Sequence, residues 1–134
     1  MQRTYRGWGP ALAAISMVAV VSGVALIGTA LAHKPRIRST VSIHETFNDV
    51  TFEHVFHGRV RSEKAACERH RTVKLKVDGH PGSLGSDTTN RRGRWRIVLP
   101  SDNLSGDYYA KATRKITTRW VCRSAESERI HLGP

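Results

Sequence analysis

Apolar and polar residues alternate with a period of two along most of the chain beyond residue 40, and no apolar pattern with a period of 3.6 persists for ten residues. A period of two is typical of strands, whereas a period of 3.6 is typical of an amphipathic helix. The chain is therefore predicted to form strands that have one face toward a core and one toward water. The predicted inner rows are Val41 and Ile43; Phe52, Phe56 and Val60; Val73, Leu75 and Val77; Trp95, Ile97 and Leu99; and Tyr108, Ala110 and Ala112.

Turn-forming sequences separate the predicted strands. The segments 78–82 and 101–106 are rich in Gly, Pro, Asp, Ser and Asn, and the segment 90–93, Asn-Arg-Arg-Gly, is predicted to be a hairpin turn with its glycine at a positive φ. Pro100 is expected to end its strand because it has no amide hydrogen. Short strands with turns at about every 8–12 residues predict an all-β fold, a single antiparallel β-sandwich of about seven strands.

Residues 1–32 have the features of an export signal. Arg3 and Arg6 precede an uncharged stretch, Ala11 to Ala32, which ends in the small-residue sequence Ala-Leu-Ala that a signal peptidase would cut. At 22 residues, the stretch is also long enough to cross a bilayer as an uncleaved membrane anchor. Its serine, glycine and threonine residues dilute its hydrophobicity and favour cleavage. An N-terminal hydrophobic export helix is thus predicted to precede one β-sandwich domain, residues 33–134, which is secreted or extracytoplasmic, or alternatively anchored to the membrane with the domain outside.

Cys67 and Cys122 are the two cysteines of the chain. Disulfides form and persist in oxidising compartments, and an exported domain with two cysteines has a single intramolecular pairing available. The sequence therefore predicts a disulfide between them, with a pair of buried free thiols as the alternative.

Three short motifs follow one another along the chain. Gly58-Arg-Val60 fits a G-x-V opening strand, Thr89-Asn-Arg-Arg-Gly-Arg-Trp95 fits a T-x-x-x-G-x-W hairpin, and Gly106-Asp-Tyr108 fits a G-x-Y corner. In this order, over about residues 56–132, the chain resembles small secreted bacterial β-sandwich domains of the prealbumin-like, carboxypeptidase-regulatory-like type. The resemblance implies an immunoglobulin-like or prealbumin-like fold and a binding, spacer or structural role, and it transfers no catalytic residue.

The strongly basic composition favours anionic partners. The chain has a formal net charge of +11, and residues 33–134 keep all acidic residues and lose only Arg3 and Arg6, which leaves 20 − 11 = +9. Anionic cell-wall polymers or a membrane surface are the expected partners, and nucleic acid is disfavoured because the domain is exported and only Tyr109 offers an outward aromatic side chain. One alternative is a solvated, soluble exterior without a binding role. Another is an edge-strand role, in which the basic side chains block unwanted sheet pairing. The basic residues on predicted outward rows are Arg59, Arg61, Lys74, Lys76, Arg94, Arg96 and Lys111.

No catalytic constellation stands out, so the chain is predicted to be an exported, non-enzymatic binding or structural module without a cofactor. The alternative is a copper-binding protein or small metalloenzyme, because cleavage after Ala32 would make His33 the first residue, and an N-terminal histidine can chelate copper through its amine and imidazole. His54 falls on an apolar row and is expected to be a core histidine with a hydrogen-bond partner. The histidines that could join His33 are His44, His54, His57 and His131.

Overall fold

The computed structural model describes residues 33–102 and 104–133, and within them the chain forms twelve β-strands and one helix of four residues. The predicted export helix lies outside these residues, and within them no helix has the length and hydrophobicity needed to cross a membrane. In chain order the elements are β1 (Arg36–Ile37), β2 (Ser39–Val41), β3 (His44–Asn48), β4 (Glu53–Ser62), α1 (Ala65–Glu68), β5 (Thr72–Val77), β6 (Gly85–Thr88), β7 (Arg94–Pro100), β8 (Gly106–Ala112), β9 (Lys115–Ile116), β10 (Val121–Cys122), β11 (Ala125–Glu126) and β12 (Ile130–Leu132).

The first antiparallel sheet, called sheet I here, is built around the ten-residue strand β4. Strand β7 pairs with β4 over seven residues, from Glu53 opposite Pro100 to Arg59 opposite Arg94. Strands β2 and β3 follow each other along β4 in one register, because both pairings continue the same alignment. They therefore form one interrupted strand, so sheet I is three strands wide.

The second antiparallel sheet, called sheet II, has the order β6, β5, β8, and both β11 and β12 pair with β8. Between β11 and β12 the register moves by one residue, and Ser127 lies at this step. The Ser127 amide donates to the Ala110 carbonyl, and the Ser127 hydroxyl accepts from the Ala110 amide, so the bulge is closed by hydrogen bonds. Sheet II thus has four strand positions across its width.

The two sheets share one apolar core. Phe56 of sheet I stacks on Tyr108 of sheet II with a ring-centroid distance of 5.3 Å, and Trp95 is only 3% exposed. The alternating pattern therefore predicted the inner rows correctly, except that Phe52 is 65% exposed. Phe52 lies in the turn between β3 and β4 with a φ of 53°, so the strand alternation begins only after it. The core residues are Val41, Ile43, Phe56, Val60, Val73, Leu75, Trp95, Ile97, Tyr108, Ala110 and Ala112.

A small third sheet joins β1, β10 and β9, with β1 and β10 parallel. The predicted disulfide is present here and links Cys67 of α1 to Cys122 of β10. In the chain-entropy model, a cross-link between residues 55 positions apart stabilises the fold by about 4 kcal/mol. Ile37 and Trp120 pack against the disulfide, so this region has its own small apolar cluster.

The predicted turn at 90–93 is also present, with Gly93 at a φ of 75° and its amide donating to the Asn90 carbonyl. The side-chain oxygen of Asn90 accepts hydrogen bonds from the amides of Arg92 and Arg94. However, the turn does not close a hairpin within one sheet, because β6 pairs with β5 and β7 pairs with β4. It instead carries the chain from sheet II to sheet I.

Candidate functional site

The seven basic residues predicted on outward rows are distributed over two sheets. Four arginines lie on β4 and β7 of sheet I, and three lysines lie on β5 and β8 of sheet II. Both groups point away from the core that the sheets share, so they occupy two separate surfaces and not the one positive face that the sequence suggested. Strand alternation determines the side of a strand on which a residue lies, but not the sheet to which the strand belongs.

The outer surface of sheet II neutralises much of its own charge. The Arg129 Nε lies 2.7 Å from the Asp78 Oδ2, and this hydrogen bond raises the pKa of Arg129 above its ordinary value. The Arg129 guanidinium also lies over the ring of Tyr109, at 4.3 Å from its centroid. The His131 Nδ1 lies 2.8 Å from the Asp107 Oδ1. Basic and acidic side chains are therefore interspersed around the three lysines of this sheet.

The outer surface of sheet I carries what we call the arginine face, which consists of Arg59, Arg61, Arg94 and Arg96. Arg59 lies directly opposite Arg94 across the strand pair. Like charges in such a pair repel each other unless an anion is present. Within the part of the chain that the structure describes, none of the four guanidinium groups forms a salt bridge or donates a hydrogen bond. In contrast to sheet II, this surface presents arginines that its own carboxylates leave unpaired.

Two histidines extend the arginine face along the sheet. His57 lies opposite Arg96 on one side and His44 on the other, and the two imidazole rings have a centroid distance of 5.6 Å. Val55 of β4 and Val98 of β7 form the next pair on the same side of sheet I, beyond His57 and Arg96. The surface is thus basic at one end and apolar at the other, so a bound anion would make its contacts at the arginine end.

An open groove of about 720 Å³ adjoins this arginine end, next to α1. Arg36 and Arg38 contribute to it from the N-terminal segment, and Arg59 and Arg61 contribute from β4. We call it the arginine groove. Arg36 and Arg38 were not among the predicted anion-binding residues, although their alternation with Ile37, a buried residue, marks them as outward. The remaining lining residues are Ser39, Thr40, Ser62, Glu63 and Glu68.

Arg59 belongs to both the arginine face and the arginine groove. Its Nε is buried and has no hydrogen-bond partner. A buried donor without a partner destabilises a protein by about 1–3 kcal/mol, and native structures usually satisfy such donors with protein, water or ligand atoms. Among the described residues, the side chain of Arg59 therefore carries a donor that the protein itself leaves unmet.

The histidines named for a copper site lie on β3, β4 and β12. His33 is exposed and precedes β1, whereas His54 contacts Glu45 through its Nδ1, as expected for a core histidine with a partner. Within residues 33–102 and 104–133, no group of three or more His, Cys, Asp or Glu side chains could hold a metal ion.

Comparison with known proteins gives no family for this chain: no protein-family model, no curated protein and no solved structure matches it. The resemblance to prealbumin-like domains therefore stays a prediction, and the functional argument depends on the site itself.

Proposed function

We propose that this chain is an exported, non-enzymatic β-sandwich module of the prealbumin-like type that binds anionic polymers at the cell surface through its arginine face. The observation that carries the proposal is the contrast between the two outer surfaces. On sheet II, Asp78, Asp107 and Glu126 pair with Arg129 and His131, and Glu126 also lies opposite Lys111. The four arginines of sheet I form no salt bridge among the described residues. Unpaired arginines on one side of a domain are suited to an external anion.

The spacing of the arginines suits an extended polymer. Alternate residues of a strand are about 7 Å apart, so Arg59 and Arg61 on β4, and Arg94 and Arg96 on β7, form two short parallel rows of charge. A chain with regularly repeated anionic groups could contact several of these residues at once. Guanidinium groups also suit this role because their planar forks bind carboxylate, sulfate or phosphate oxygens in pairs.

The export component of the proposal is supported by the N-terminal sequence and by the disulfide. The linkage between Cys67 and Cys122 is of the kind that persists in oxidising compartments and is rare in the cytosol. Residues 1–32 supply the basic, apolar and small-residue segments of an export signal. The expected partners are thus anionic cell-wall polymers or the membrane surface.

The proposal can be tested by salt elution of the full chain from phosphocellulose. The double variant Arg94→Gln/Arg96→Gln removes two charges from the arginine face, and Lys74→Gln/Lys111→Gln removes two charges from sheet II. We expect the arginine variant to elute at clearly lower salt. The slope of the logarithm of the binding constant against the logarithm of the salt concentration should fall by about one to two in magnitude, because binding through fewer charge contacts releases fewer counterions. The lysine variant should elute close to the unmodified protein. Equal shifts for the two variants would mean that binding follows net charge alone, and would refute the proposal.

A further inference from the structure

We infer that the arginine groove is a specific site for a phosphate monoester, carried on a polymer without aromatic bases. The inference rests on the proposed function, since the groove continues the arginine face, but it assigns a distinct chemical group to a distinct set of residues. Arg36, Arg38 and Arg61 are exposed and Arg59 is half-buried, so all four can reach a ligand in the groove.

The charge of the groove matches a doubly charged anion. Four arginines and two glutamates line it, which gives 4 − 2 = +2. A phosphate monoester carries a charge of about −1.5 to −2 at pH 7, whereas a single carboxylate or a phosphodiester carries about −1. Among these groups, the phosphate monoester neutralises the groove most completely.

The donors of the groove also outnumber the oxygens of a carboxylate. Each guanidinium of the lining arginines carries several N–H donors in a planar fork. The Ser39 hydroxyl accepts a hydrogen bond from Arg71 Nη1 at 3.1 Å, so its own hydrogen remains available to donate. Thr40 adds an exposed hydroxyl. A phosphate has three terminal oxygens in a tetrahedral arrangement and can accept from several directions at once, whereas one arginine fork already occupies both oxygens of a carboxylate.

Hydrogen bonds hold the two sides of the groove together. The Ser62 hydroxyl donates to the Arg38 carbonyl at 2.9 Å, which ties the end of β4 to the segment before β2. The Ser62 amide donates to Glu68 Oε1 at 2.9 Å, which ties the same residue to α1. A groove with fixed backbones loses less conformational freedom on binding than a mobile surface would.

Among the residues that the structure describes, no aromatic side chain lines the groove. Proteins that bind single-stranded nucleic acids stack bases on aromatic residues, so the groove recognises the phosphate and not a base. This favours a phosphorylated polymer of sugars or polyols over a nucleic acid.

The test is a calorimetric titration of the purified full chain, at constant ionic strength, with four small probes. Glucose 6-phosphate presents a phosphate monoester and glucuronate presents a carboxylate on a similar ring. Inorganic phosphate separates free phosphate from an ester, and adenosine monophosphate adds a base. We expect glucose 6-phosphate to bind at one site about tenfold more tightly than glucuronate, which corresponds to about 1.4 kcal/mol, and at least as tightly as the other two probes.

Matched variants locate the site. Arg61→Lys keeps the charge but removes the guanidinium fork, and it should weaken glucose 6-phosphate binding by about tenfold. Lys74→Gln removes an exposed charge from sheet II, outside both the groove lining and the arginine face, and it should change the affinity by less than about twofold. Thermal unfolding of each variant checks that the fold is retained.

Three results would overturn the inference. Equal affinities for glucose 6-phosphate and glucuronate would show that the groove does not distinguish phosphate, and equal losses for Arg61→Lys and Lys74→Gln would show that there is no localised site. Tighter binding of adenosine monophosphate or inorganic phosphate would assign the groove to a nucleotide or to the free ion. In each case the phosphocellulose experiment still decides the proposed function separately, because it compares residues outside the groove.

Discussion

At the scale of single residues, Arg71 shows how a buried charge can be accommodated without a carboxylate. It is fully buried, and its guanidinium donates to the carbonyls of Cys67, Thr113 and Arg123 and to the Ser39 hydroxyl. Burial lowers the pKa of Arg71, since loss of solvent disfavours its charged form, and the four hydrogen bonds offset that cost. Arg71 thereby connects the disulfide region to strands of both large sheets.

The substitution Arg71→Met should therefore be severely destabilising. It removes the donors to four buried or half-buried acceptors, and we expect a loss of about 3–5 kcal/mol in the free energy of unfolding, measured by urea denaturation. The matched control is Arg69→Met, since Arg69 is exposed and lies two residues away. The control should stay within about 0.5 kcal/mol of the unmodified protein. Similar denaturation midpoints for the two variants would contradict this role of Arg71.

At the scale of elements, the turn before β7 decides how the two sheets are connected. The Val60 amide donates to the Gly93 carbonyl at 2.8 Å, which brings the turn against the centre of sheet I. A Cβ on Gly93 would lie only 2.2 Å from the Val60 carbonyl oxygen, so the turn needs glycine for space as well as for its positive φ. Gly79 has a similar φ of 83°, but a Cβ there would meet no atom within 4 Å.

Alanine at Gly79 and at Gly93 therefore separates the cost of a positive φ from the cost of a steric clash. Gly79→Ala should cost about 1–2 kcal/mol, the strain of a left-handed backbone alone. Gly93→Ala adds the backbone clash, and we expect it to cost about 3 kcal/mol or more, again by urea denaturation. If alanine at the two positions destabilises the protein equally, the close approach of the turn to β4 does not contribute to stability.

At the scale of the whole molecule, the disulfide and the asymmetric distribution of charge both fit the proposed export of the protein from the cytoplasm. The disulfide joins α1 to β10, and the groove that we assign to phosphate lies between α1 and the N-terminal segment. Oxidation of the cysteines should therefore help to stabilise the region that holds Arg36 and Arg38. The binding surface is thus expected to be complete only in the oxidised protein.

The intact mass of the protein from its native compartment tests export directly. We expect a chain that begins at His33, because the Ala-Leu-Ala sequence before it matches a peptidase site, and a mass reduced by the hydrogens lost in forming one disulfide. Treatment with a reductant should restore those hydrogens and serves as the control. A mass that retains the N-terminal residues would contradict cleavage and favour a membrane anchor, and a fully reduced mass would contradict the oxidising environment.

Much of the fold was accessible from the sequence. The period of two identified the buried rows, such as Val73 and Leu75, because a pleated strand repeats its orientation at every second residue. Arg71 lies two residues before Val73, but only the structure shows that it is buried and what satisfies its charge. The disulfide was also predictable, since the chain has two cysteines and one way to join them.

The tertiary structure alone decided which rows lie side by side. Alternation could not show that Arg59 faces Arg94 across sheet I while Lys74 faces Lys111 on sheet II, because strand pairing is set by long-range contacts. It also could not bring Arg36 and Arg38 to the groove beside Arg61, since those residues are more than twenty positions apart in the chain. The sequence by itself determined the faces, the turns and the excess of positive charge. The structure determined where that charge remains unpaired, because only the packed sheets fix which acidic side chains come within reach.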